Sequence, residues 1–106
     1  MNKRIKKKKN KSIIHKECWN LDVSFYKWLE KRLPIYLEDA NAVIELDTYK
    51  FDIFGQELTQ REVIKAMISD LKYILNPKVS DWSKEYDDTV NHLMKCWSEV
   101  IEAMWW

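Results

Sequence analysis

One glycine and two prolines are the only strong chain breakers among 106 residues. Sandwiches and barrels need turn residues at close intervals, so a chain this poor in them favours long uninterrupted elements, helices above all. The length fits one domain and leaves no room for a second core, and a hydrophobic content of 46% is enough to build that core.

The periodicity follows the same line. Asp22 stands where a helix N-cap belongs, and Phe25, Trp28, Leu29, Leu33, Tyr36 and Leu37 then recur at three- and four-residue steps. Pro34 removes the amide that would bond to residue 30, which predicts a kink or break near Arg32–Leu33. Between Asn41 and Phe54 the period changes to two: Tyr49, Phe51 and Ile53 alternate with Thr48, Lys50 and Asp52, as in a half-buried strand. Val43–Leu46 is the expected partner strand, with the bend near Asp47-Thr48, and Gly55 ends the segment. Thr59-Gln60-Arg61-Glu62 is a capping box, and Leu58 and Val63 occupy the staple positions around it. Val63, Ile64, Met67, Ile68, Leu71, Ile74 and Leu75 continue as one apolar face until Asn76-Pro77. A last helix, capped by Ser80 or Asp81, carries Tyr86, Val90, Leu93, Met94, Trp97, Val100, Ile101 and Met104 and runs to the chain end. The expected fold is mainly α, a small three-helix bundle with a short strand or hairpin between helices 1 and 2.

Charge divides the chain where hydrophobicity does. Residues 1–16 hold eight of the 18 basic residues and none of the 17 acids, leaving the rest with ten positive charges against 17 negative, a balance of −7. So dense a like-charge block repels itself, and residues 1–16 are expected to be a disordered basic tail on a single helical domain at 17–106. Lys3, Arg4, Lys6, Lys7, Lys8, Lys9 and Lys11 have three readings: a nonspecific nucleic-acid arm, an adhesive for an acidic protein or membrane surface, or a solubilising leader. No aromatic interleaves with these lysines, so nucleic-acid contact there is electrostatic, without base stacking. No stretch approaches the roughly 20 apolar residues of a membrane span, and no apolar signal core follows the basic run. The expectation is a cytosolic protein with free cysteines and no membrane partner.

The search for chemistry is mostly negative. A phosphate loop, a nucleophile elbow and a paired-histidine metalloprotease motif are all lacking, and a lone glycine cannot supply a backbone cradle. No catalytic residue and no organic cofactor is expected. Zinc is the one candidate ion. His15 and Cys18 lie three residues apart, His92 and Cys96 four apart on one helical face, and together they offer a two-nitrogen, two-sulfur tetrahedron. The plainer reading makes Cys96 a small core residue.

Six tryptophans and five tyrosines exceed what one small core buries fully. Helical phase assigns Trp28 and Trp97 to the core. Trp105 and Trp106 cannot both face it, and an exposed Trp at a chain end is an interface anchor. The candidate partner contacts are Trp82, Trp105 and Trp106, with Asp87 and Asp88 as carboxylates offered to a basic groove. The plainer reading of Asp87-Asp88 is a solvated surface.

Trp19-Asn20-Leu21-Asp22, followed by Phe25, Trp28-Leu29 and Arg32-Leu33, resembles small accessory proteins of phages and prophages of Gram-positive bacteria. The likeness extends through Leu58-Thr59-Gln60-Arg61-Glu62, the Lys-rich opening and the closing Trp105-Trp106. The resemblance carries no reaction. It implies a non-enzymatic protein, in the cytoplasm of the bacterial host, that binds a host target, with inhibition of a defence nuclease such as a CRISPR effector as the concrete case. The alternative is a small nucleic-acid-binding phage protein that uses the basic tail.

Overall fold

A computed structural model describes residues 20–104. Within them the order is helix α1 (Leu21–Asn41), strands β1 (Lys50–Ile53) and β2 (Gln56–Thr59), helix α2 (Gln60–Ile74) and helix α3 (Lys84–Val100), closed by a 3-10 turn at Ile101–Ala103. The expected class, mainly helical with a hairpin between the first two helices, is what this order shows.

α1 begins at Asn20, which adopts a left-handed φ of 53° and makes no side-chain cap. Asparagine enters that region more readily than most residues. Asp22 is therefore not the cap; it lies in the first turn, where a carboxylate suits the positive end of the helix dipole. The helix also runs unbroken through Pro34. An internal proline costs roughly 3 kcal/mol. Burial of Leu29 and Leu33 on one side of it and Ala40 on the other anchors both halves to the core. Each buried leucine contributes roughly 1.5–3 kcal/mol, enough to override the break that local propensity predicts.

The hairpin differs from the expected one. β1 pairs antiparallel with β2, from Lys50↔Thr59 to Ile53↔Gln56, and Val43–Leu46 is irregular loop. The bend is Phe54-Gly55, with φ of 51° and 86°, the doubly positive pattern of a primed turn. The Asp52 carboxylate accepts the Gly55 amide at 2.8 Å. Gly55 thus turns the chain back instead of ending the segment. Phe51 and Ile53 face inward as their alternation requires, but Tyr49 precedes the strand and is exposed. Leu46, fully buried, and Arg61 hold the loop in place: the Leu46 carbonyl accepts the Arg61 amide, and the guanidinium donates to Asp47 and Asn41.

α2 is the central helix. Its capping box is complete, with the Thr59 hydroxyl accepting the Glu62 amide at 3.2 Å and the Glu62 carboxylate accepting the Thr59 amide at 3.1 Å. Val63, Ile64, Met67, Leu71 and Ile74 form the middle of the core. Gln60, buried beside them, donates to the Tyr36 hydroxyl and the Ala103 carbonyl, joining α1, α2 and the C-terminal turn. α3 starts one turn later than expected: Ser83, not Ser80 or Asp81, accepts the Tyr86 amide at 3.1 Å. It also stops at Val100 and does not run on as one α-helix. Both α1 and α3 lean on α2, yet no Cα of one comes within 8 Å of a Cα of the other. They meet only through large side chains, such as Phe25 and Trp97, whose ring centroids lie 6.1 Å apart.

Candidate functional site

α3 turns two different flanks outward. Toward α1 it presents Trp97, with Met94 and Ile101 at −3 and +4, the last two exposed. On α1, Leu21, Trp28 and Ile35 are spaced by seven and therefore aligned along one line of the helix. They are 63%, 47% and 60% exposed. Trp28 is thus not a core residue: it lies roughly 130° around α1 from the buried row of Tyr26, Leu29, Leu33 and Ala40, on the side turned away from the core. The Arg32 guanidinium stacks on its ring at 4.4 Å and donates to its carbonyl. Leu21, Ser24, Phe25 and Trp28 line a shallow recess of about 230 Å³ on this flank. The three- and four-residue pattern misses the line because it puts Trp28 on the buried face and passes over Leu21 and Ile35. The seven-residue step from Leu21 to Ile35 was the available signal.

Of the expected partner contacts, Trp82 lies between α2 and α3 and is 90% exposed. Asp87 and Asp88 are exposed at the start of α3, where helix-dipole stabilisation already accounts for Asp87 in the first turn. Trp105 and Trp106 fall outside the described residues, as do Lys3, Arg4, Lys6, Lys7, Lys8, Lys9 and Lys11.

The second flank of α3 holds a polar cluster at the seam with α2. His92 and Cys96 share a face, as their spacing predicts, and Cys96 Sγ stands 3.9 Å from His92 Nδ1 and 4.0 Å from Nε2. The other expected pair, His15 and Cys18, lies outside the described residues. α2 contributes Asp70 instead, whose Oδ2 is hydrogen-bonded to His92 Nδ1. That residue was invisible in the sequence, because nothing local relates position 70 to position 92. Burial pushes the Asp70 carboxyl above the usual carboxylate range, and the hydrogen bond and charge of His92 pull it back. The Cys96 thiol is pushed up to about 11, first by burial and then by the Asp70 charge.

Carboxylate, imidazole and thiol suggest a nucleophilic triad, but the geometry opposes it. Cys96 has no exposed surface. Its sulfur is nearly equidistant from both ring nitrogens, so neither is aimed at it as a base. A sealed thiol with so high a pKa is a poor nucleophile at neutral pH. Among the described residues, no helix is long and apolar enough to cross a membrane.

Compared with known proteins, the chain matches no family model, and no curated protein or solved structure matches it significantly.

Proposed function

We propose that this chain is a non-enzymatic binding protein that docks on a bacterial host protein through the exposed apolar line of α1. The observation that carries this reading is the line of Leu21, Trp28 and Ile35, left largely exposed beside a well-filled core. Exposed aromatics next to a recess are the usual anchors of a protein interface. Lys27, Lys31 and Arg32, all exposed, border the line and favour an occupant with apolar anchors and an acidic rim. Trp82 adds a further exposed anchor. The sealed Cys96 supports a non-catalytic role. The resemblance to phage accessory proteins supports a host defence nuclease, a CRISPR effector in particular, as the target.

Mixing the purified protein with such an effector tests the reading. Co-elution and loss of DNA cleavage are expected, and Trp28→Ala should weaken both by more than tenfold, as removal of an anchor worth about 2 kcal/mol does. Absence of co-elution with full retained cleavage would remove the nuclease as target. An unchanged affinity in Trp28→Ala would move the interface elsewhere.

A further inference from the structure

Asp70, His92 and Cys96 each place one ligand-type atom within 4.8 Å of the other two, on two helices held together by the core. We propose that they bind a single divalent transition ion of the zinc class, through Asp70 Oδ2, His92 Nδ1 and Cys96 Sγ, with water as the fourth ligand. This inference is independent of the docking surface, which lies on α1.

The ligand chemistry selects the ion. One nitrogen, one thiolate sulfur and one carboxylate oxygen suit zinc and its neighbours, whereas calcium and magnesium require oxygen alone. The spacing is close to what the ion needs. Zinc bonds of roughly 2.0–2.3 Å at tetrahedral angles set ligand atoms roughly 3.3–3.7 Å apart. Sγ lies 3.9 Å from Nδ1, a few tenths beyond that range. Nδ1 and Oδ2 already face each other across a hydrogen bond. The ion takes the place of the proton between them, and the pair parts to admit it. Nε2 then carries the ring proton.

Burial explains why such a site differs from a surface pair. The Asp70 and His92 side chains are 16% and 35% exposed, and Cys96 is fully enclosed. The Phe54 ring at the hairpin tip lies beside the imidazole, the two ring centroids 6.3 Å apart. A cation next to Sγ stabilises the thiolate that burial alone opposes, and the thiol proton leaves to solvent. Because the ligands come from α2 and α3, the ion would also clamp the two helices together.

Titration of the full chain with cobalt(II), after treatment with a chelator, tests the site. A thiolate-to-cobalt charge-transfer band and the intense visible absorption of tetrahedral cobalt are expected, and zinc should abolish both. Zinc at a hundredfold excess over its Kd should raise Tm by on the order of 10 °C. Cys18→Ser should keep the band, and Cys96→Ser should lose it. Should Cys96→Ser fail to fold, Asp70→Asn and His92→Gln, both partly exposed, carry the test: each should weaken cobalt binding by at least roughly tenfold. No charge-transfer band in the natural chain would overturn the proposal. So would a band lost in Cys18→Ser, or an affinity untouched by Asp70→Asn.

Discussion

The two flanks of α3 resemble each other in sequence and differ in what they face. On one, Leu93, Cys96 and Val100 sit against α2 with no accessible surface, and the polar neighbours His92 and Asp70 are paired. On the other, Met94, Trp97 and Ile101 look toward α1 across a distance that only aromatic rings span. Close backbones leave no room for an unpaired polar atom, and among the described residues no buried side-chain nitrogen or oxygen lacks a partner. Distant backbones leave large apolar groups with spare surface. The first arrangement stabilises the fold, and the second is available to a partner.

That contrast can be broken most directly at Leu71, which has no exposed surface in the last turn of α2. Leu71→Ala should cost about 3 kcal/mol, read from urea unfolding. A much smaller loss would mean that the seam is loosely packed. At the hairpin tip beside the seam, Gly55→Ala meets no steric obstacle but must hold a φ of +86°. It should cost roughly 1–2 kcal/mol in the same measurement. Thr59→Ala removes the hydroxyl that accepts the Glu62 amide and should cost about 1 kcal/mol. Trp28→Ala, on the exposed line of α1, should change stability by no more than about 0.5 kcal/mol while it weakens partner binding. If Trp28→Ala destabilises as much as Leu71→Ala, the line belongs to the core and the contrast fails.

Much of the architecture is legible from local pattern. The Thr59 capping box, the apolar face of α2 and the stop at Asn76-Pro77 are all short-range signals, and each stands where it was expected. The misreadings occur where two local signals compete. Pro34 outweighs its neighbours in any local account, yet α1 continues through it with Leu29, Leu33 and Ala40 buried on either side among residues far away in the chain. Phe54-Gly55 is a weak turn signal beside Asn-Gly or Asp-Gly, so local pattern puts the bend before Gly55 and not around it. Ser80, Asp81 and Ser83 are all competent caps, and which one begins α3 depends on how the preceding loop packs.

The candidate site divides the same way. His92 and Cys96 are four apart on a helix, so their adjacency follows from helical geometry alone. Asp70 joins them only because α2 and α3 pack in one particular register, a relation between residues 22 apart that no local periodicity encodes. Composition, helical class, the central capping box and the charge division were determined by the sequence itself, because each depends on residues within a turn or two of one another. The exposure of Trp28, the hairpin register and the third member of the polar cluster were decided by tertiary structure. Each depends on which elements pack against one another, a relation between residues far apart in the chain that no local pattern encodes.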